Sequence, residues 1–533
     1  MRQFLQKYPF FLPFILLLFF AGGLYLGKYI SAKEHQNKII TGTQGNKITD
    51  ILEMIEDEFV DSIDMKNLIE DVIPLILEKL DPHSGYIPEK DFNEVNDPIE
   101  GEFEGIGVQF NIIHDTVVVI QVIPGGPSER ANVRAGDRII YVNDSIIAGI
   151  GIDSYDVVKK LKGPKNTKVK IGIKRNKVDS IITFILTRDK IPFYSIDASF
   201  MSTPTIGYIK ISRFATTTYS EFMKHSKELK SQGMKSLILD LRGNGGGVLS
   251  EAALIANEFL EKRKLIVYTE GRAYSRETFY SDGRGSLKDI ELYILVDENT
   301  ASASEILSGA IQDNDRGTIV GRRTFGKGLV MTQKKFKDGS AIRLSIAHYY
   351  TPSGRCIQKP YTKNHQDYYL EIRDRYVNGQ MQNKDSITFP DSLKYFTKAG
   401  RVVYGGGGIM PDYFIPLDTT GYSTFYSVLI NKGILYDYAF DYTDKYREEL
   451  KAFKNGNEIV SYLEQNNFYN EFLKYCHSQN IKPTSKELQT SGHLIKHRLY
   501  SYIIRNCLGD NDFYKHWLKN DQPYNFVLEK LFK

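Results

Sequence analysis

Cysteine is scarce in this chain. The three residues, Cys356, Cys476 and Cys507, form no C-x-x-C pair and no metal-ligand spacing. That excludes a disulfide-built scaffold and argues against a structural zinc. The odd count leaves at least one thiol unpaired within the chain, although Cys476 and Cys507 could pair in an oxidising compartment. Charge of one sign is lacking too: 69 basic residues against 65 acidic leave a net charge of +4, no broad footprint for nucleic acid. No G-x-S-x-G elbow surrounds any serine, which removes that route to an activated hydroxyl. Long hydrophobic runs are absent with one exception, Tyr8–Leu26, YPFFLPFILLLFFAGGLYL. Its length approaches the ~20 apolar residues that span a bilayer, and its exit, LGKYISAKE, is a poor signal-peptide cleavage site. The expectation is one uncleaved N-terminal transmembrane helix over 1–30, with the remainder outside the cytoplasm.

What is present divides into blocks. Residues 41–98 show apolar spacing near 3.6 in ITDILEMIEDEFVDSI and LIEDVIPLILEKL, which predicts helices up to the turn LDPHSGYIP. Residues 101–190 read as short strands with one helix, SYDVVKKLKG, a small β-rich module. From 191 to 420, compact apolar strands such as SLILDLRG and ELYILVD alternate with helical stretches. This predicts an α/β core with a mainly parallel sheet. Residues 425–533 look helical and aromatic, with the single Trp517. The fold class is therefore α/β multidomain, with helical N- and C-terminal regions.

Three motifs carry chemistry. DLRGNGGG, Asp240–Gly247, ends one strand and precedes a helix, so its backbone N–H groups suit a phosphate or an oxyanion, or simply make a tight turn. In TASASEI, Ser302 begins an S-x-x-E capping box, and its hydroxyl could serve as cap, as nucleophile, or as both. Ser304 is the competing nucleophile. In GRRTFGKG, Gly321–Lys327 matches a phosphate loop, except that Gly328 stands where a Ser or Thr is required and a strand-like stretch follows, which argues against an ATPase. Lys327 is either a solvated loop lysine or a base that burial keeps neutral. His83 and His348 are the alternative bases, and His348 reads as a half-buried strand residue. In FEGIGVQF, Gly105, Ile106, Gly107 and Val108 form either a plain turn or a cradle for a terminal carboxylate beside a strand edge.

Taken together, LDPHSGY, FEGIGVQF with IPGGPSERANVRAGDRIIYVN, DLRGNGGG, TASASEI, TFGKG, YYTPSGRCIQ and GGIMPD resemble, in family order over about 45–415, the carboxy-terminal processing (tail-specific) proteases. These are membrane-associated serine peptidases with a PDZ domain and a Ser-Lys dyad. The resemblance implies that Ser302 is the nucleophile and Lys327 the general base. It implies an oxyanion hole from Ala303 with Gly245 or Gly246, and a PDZ loop Gly105–Val108 that recognises substrate C-termini. Asp313 matches an acid with a supporting role, or else caps the helix end. Two departures stand out. Met331 occupies the position where the family often has a lysine-orienting Gln, with Gln333 two further on, and a thioether donates no hydrogen bond. In addition, residues 360–400 look like an insertion.

The expected function is a membrane-anchored endopeptidase that cleaves proteins near their C-termini. It would need no cofactor or metal, and its catalytic part would face the periplasm from the inner membrane. Its expected partners are protein C-termini and the membrane, with a homo-oligomer or a regulatory partner as further options and no nucleic acid. The alternatives are a non-catalytic PDZ scaffold, to which Met331 points, and a hydrolase of small esters.

Overall fold

The computed structural model describes residues 17, 20–24, 47–176, 178–361 and 365–531. The chain forms two compact units, 1–76 and 77–533. In the first, Lys47–Glu58 is helical, and the helix Met65–Leu77 begins there. The sheets and the site described below belong to the second.

Strands Val108–Ile113, Thr116–Val122, Arg138–Val142, Lys168–Lys174 and Ile182–Thr187 form an antiparallel sheet closed by helix Ser154–Leu161. Their alternate side chains, Val117, Val119, Ile139, Ile171 and Ile173, are fully buried, as period-two patterning requires of a half-covered sheet. Glu102–Gly105 pairs with Asp189–Pro192 at the module's base. Val108–Ile113 lies at the sheet's edge.

The core holds a six-stranded sheet in the order Ile196–Met201, Ile206–Ile211, Ser236–Asp240, Glu291–Val296, Thr318–Gly321, Tyr413–Phe414. Ser236–Asp240 is buried at every residue, so both sheet faces must be covered. Helices Thr218–Ser231, Leu249–Phe259 and Ala303–Asp313 supply Phe222, Ile255, Phe259, Leu307 and Ile311 on one face. On the other, the C-terminal residues Leu518, Tyr524 and Val527 pack on Tyr208, Ile238 and Leu295. The remaining C-terminal helices build their own core around Leu429, Phe468, Phe472, Ile495 and Leu499. Cys476 is buried there, and all three cysteines are free.

Two expectations are corrected. Among the described residues, parallel pairing between strands is confined to four pairs of the six-stranded sheet, beside one isolated parallel bridge from Phe214 to Gly247. The second core sheet, which joins Gly85–Ile87, Leu265–Glu270, Glu277–Tyr280, Leu329–Lys335 and Ala341–Tyr350, is antiparallel throughout, so pairing over the whole fold is mostly antiparallel. For Leu329–Lys335 and Ala341–Tyr350 the cause is the short connection Phe336–Ser340, closed by Phe336 N–H on the Ser340 carbonyl at 2.8 Å; so tight a turn can join only antiparallel strands. Among the described residues, no helix is long and apolar enough to cross a membrane. Most of Tyr8–Leu26 lies outside the described residues, and the helical piece 20–24 contains Gly22 and Gly23, poor helix formers. The single-pass anchor, the inner-membrane localisation and the periplasmic facing are therefore withdrawn.

Candidate active site

Parallel strands present their carboxyl ends to one crevice, where ligands of such sheets bind. Ser236–Asp240 and Glu291–Val296 run into that crevice and continue as the glycine loop and the Ser302 turn. Ser302 itself sits at φ 56°, ψ −117°, a backbone region that a residue with a Cβ occupies only under strain of about 1–3 kcal/mol. Its neighbours hold it there. Asn244, fully buried, receives Ala301 N–H on its carbonyl at 2.9 Å. The same carbonyl receives the Ser304 hydroxyl at 3.1 Å, while the Asn244 amide nitrogen donates to the Ile211 carbonyl at 3.0 Å. Ser304 is fully buried and so engaged, which leaves half-exposed Ser302 as the accessible hydroxyl.

The glycine loop separates the two oxyanion candidates. Gly246 donates its N–H to Asn244 Oδ1 at 2.8 Å, whereas among the described residues Gly245 N–H has no protein acceptor. Gly246 also has φ 100°, and a Cβ there would lie 2.7 Å from the Ser302 Cβ, so only glycine lets the loop approach so closely. Gly245, Ser302, Ala303 and Lys327 line one cavity of about 480 Å³, together with Met331, Gln333 and Arg343. Asp240, at the root of the loop, is buried against Arg242 at 2.6 Å and Lys210 at 3.3 Å. Burial alone would raise its carboxyl, but these two cations hold it well below the usual range.

Glu305 ties the serine turn to the lysine loop. Its Oε2 accepts Ser302 N–H at 2.9 Å and Lys327 N–H at 2.9 Å. Its Oε1 accepts Gly326 N–H at 2.8 Å and the Thr324 hydroxyl. Burial pushes this carboxyl up to about 7, against the pull of those four donors. Because every partner donates, the ionised, acceptor-only form fits the geometry. Tyr349 adds a second tie, its hydroxyl lying 2.5 Å from the Lys327 carbonyl oxygen and 3.1 Å from that of Ser302. Sequence reading reached Glu305 only as a capping residue and missed Asn244 and Tyr349, whose roles depend on contacts distant in the chain.

Glu305→Gln sets an amide NH₂ where two N–H donors converge, and each buried donor left without an acceptor costs about 1–3 kcal/mol. Peptide turnover is expected to fall about tenfold to a hundredfold by that measure, with a lower thermal midpoint. Full activity in a peptide-cleavage assay would show that the tie is dispensable.

Lys327 is half-buried, and burial followed by the nearby Arg343 lowers its ammonium from the ordinary lysine value, while Glu305 and Asp81 pull it back up. Met331 accepts the Ser345 hydroxyl on Sδ at 3.1 Å. Gln333 donates to Asn96 at 3.0 Å and receives Arg343 at 2.8 Å, so its described hydrogen bonds lead away from the lysine. Asp313 sits at the far end of helix Ala303–Asp313, roughly 16 Å from Ser302 by helical rise. There it pairs with fully buried Arg355 at 2.7 Å and accepts the Ser353 hydroxyl at 2.7 Å, fastening the YTPSGR loop. His348 lies beside Cys356, with its Nδ1 3.9 Å from the thiol. His83 bonds the Tyr368 hydroxyl at 3.0 Å; burial, then the charge of Lys327, lowers it to about 4.

In the β-rich module, the carbonyls of Ile106 and Gly107 are tied back to the N–H groups of Ser128 and Ile123, each at 3.0 Å. Among the described residues, the N–H groups of Ile106 and Gly107 have no protein acceptor. Gly105 to Val108 line a cavity of about 370 Å³ with Phe103, Phe110, Val158, Leu161 and Lys162.

A β-rich module with a free strand edge, set before an α/β core that presents a serine at a strained helix start, defines the class of PDZ-bearing serine peptidases. Comparison with known proteins agrees. The peptidase family S41 model matches residues 205–367, a PDZ domain model matches 105–186, and a family of unknown function (DUF8443) matches 425–509. A carboxy-terminal-processing protease of Bartonella bacilliformis is 30% identical over 391 residues, 69% of this chain and 88% of the relative. A probable CtpA-like serine protease of Staphylococcus aureus (strain N315) is 33% identical over 314 residues, 58% of this chain. The match spans 62% of that relative's length. Among solved structures, the photosystem II D1 C-terminal processing protease is 28% identical with a TM-score of 0.34, covering 58% of this chain and 84% of its own. The chain belongs to the carboxy-terminal-processing proteases of peptidase family S41.

Proposed function

We propose that the protein is a serine endopeptidase that cleaves proteins near their C-termini, with Ser302 as nucleophile and Lys327 as general base. The observation that carries this reading is the single buried carboxylate, Glu305, whose Oε2 holds the backbone of both residues at 2.9 Å. The neutral Lys327 amine takes the Ser302 proton as Oγ attacks the scissile carbonyl carbon. The resulting oxyanion is met by the N–H groups of Gly245 and Ala303. Lys327, now an ammonium, gives its proton to the departing amine as the peptide C–N bond breaks. Water, activated by the same lysine, then hydrolyses the Ser302 ester. Nothing in these steps calls for a metal or a nucleotide.

Substrate tails would enter through the PDZ module, pairing with the free edge of Val108–Ile113 while the N–H groups of Ile106 and Gly107 receive the terminal carboxylate. Capping that carboxylate as an amide removes charge-assisted hydrogen bonds of ~1.5–3 kcal/mol. Binding of a peptide tail, read by fluorescence anisotropy with the Ser302→Ala protein, is therefore expected to weaken by about tenfold to a hundredfold. Equal affinity for acid and amide would refute recognition of the terminus.

A further inference from the structure

The segment 360–400, which the sequence presents only as an insertion, carries the helix His365–Val377. This helix buries two side chains, Tyr368 and Arg375. Arg375 is 3% exposed, a rare state for an arginine without full pairing. Its Nε is held by Glu371 at 2.6 Å, and its other nitrogens reach three successive carbonyls. Nη1 donates to Thr324 at 2.8 Å and to Arg323 at 3.3 Å, and Nη2 donates to Phe325 at 3.1 Å. Those carbonyls immediately precede Gly326 and Lys327.

In a planar trans peptide the C=O and the N–H point in opposite directions. The Phe325–Gly326 unit is therefore gripped from both sides, its carbonyl by Arg375 and its N–H by Glu305 at 2.8 Å. The next two units are gripped in the same way. The Gly326 carbonyl accepts Lys359 N–H at 2.9 Å while Lys327 N–H meets Glu305. The Lys327 carbonyl accepts Tyr349, and Gly328 N–H donates to Gln358 Oε1 at 2.8 Å. Gln358 and Lys359 are themselves bound to the helix, Gln358 Nε2 donating to the Tyr368 hydroxyl at 3.2 Å and Lys359 Nζ to the Tyr368 carbonyl at 2.8 Å.

We propose that Arg375, borne by the inserted helix, is a positioning residue for Lys327, fixing the lysine through the backbone of its loop where Met331 offers no side-chain donor. The inference rests on the reading of Lys327 as general base. Lys327 faces Arg343 on strand Ala341–Tyr350, Glu305 on helix Ala303–Asp313, and Asp81 and His83 on the segment before Gly85–Ile87. A loosened loop lets the amine swing toward water and away from Arg343. Both changes restore the ordinary lysine value, so the base becomes neutral only at higher pH.

The test is the rate at which a fluorophosphonate probe labels Ser302, followed from pH 6 to 10 in the full chain and in Arg375→Met and Arg375→Lys. Thermal unfolding is recorded alongside. The expected result is labelling at least about tenfold slower at pH 7 in Arg375→Met, a rising limb displaced to higher pH, and partial recovery in Arg375→Lys. Slowing by the same factor at every pH, or no slowing, overturns the proposal. If Arg375→Met does not fold, Glu371→Gln, which weakens the grip on Arg375 Nε, is read by the same criteria. Failure of the underlying reading looks different: Lys327→Ala would then label as fast as the parent protein, whatever Arg375 does.

Discussion

Replacing Ser302 by Ala is expected to lower cleavage of a peptide reporter by on the order of 10⁴-fold or more, because the proposed mechanism takes its attacking oxygen from this residue alone. The fold should survive. Ser302 is held by its backbone N–H on Glu305, by the adjacent Ala301 N–H on Asn244 and by Tyr349 near its carbonyl; the hydroxyl adds only its half of the capping box with Glu305, worth about 0.5–2 kcal/mol. The substitution therefore leaves the strained turn in place and the thermal midpoint within a few degrees. Residual processing above about one hundredth by the purified variant, well outside the loss expected for a nucleophile, would remove Ser302 from that role. The competing hydroxyl, Ser304, is buried against the Asn244 carbonyl and cannot reach substrate without unpacking the helix start.

Loss of Lys327 is expected to be nearly as severe. A positioned general base contributes about 10²–10⁴-fold, so Lys327→Met should fall in that range at pH 8. Lys327→Arg should not rescue it, because a guanidinium does not give up its proton in a protein. The pH dependence has a definite sign. Burial and Arg343 lower the ammonium below the ordinary lysine value, against Glu305 and Asp81. The amine is neutral above that lowered value, so kcat rises with pH through it and is lost on acidification. Proton uptake by Glu305, pushed up to about 7 by burial, weakens the loop in the same direction. A kcat profile that is flat from pH 6 to 10 would contradict this account.

Much of this was legible in the sequence because the signals are local. The helix start at Ser302, the glycine loop after an apolar strand and the period-two strands of the PDZ module are all written in a few adjacent residues. The helix His365–Val377 was not legible, because it buries only one aromatic and one arginine and so has no apolar stripe to read. Sheet direction is not carried by apolar patterning where short turns, such as Phe336–Ser340, fold strands back on themselves. Asp313 lies on the helix that starts at Ser302 yet pairs with Arg355 at its other end, a distinction that position in sequence does not carry. Nor does sequence distinguish Gly245 from Gly246. One side chain, Asn244 Oδ1, makes that difference.

The dyad itself is tested most directly by treating the purified protein and its Lys327→Ala variant with a fluorophosphonate probe at pH 8 and locating the adduct by peptide mass spectrometry. The account predicts one adduct, on Ser302, formed readily in the parent protein and slowed by about 10²–10⁴-fold without the lysine. An adduct elsewhere, or labelling of Ser302 that does not depend on Lys327, would contradict it.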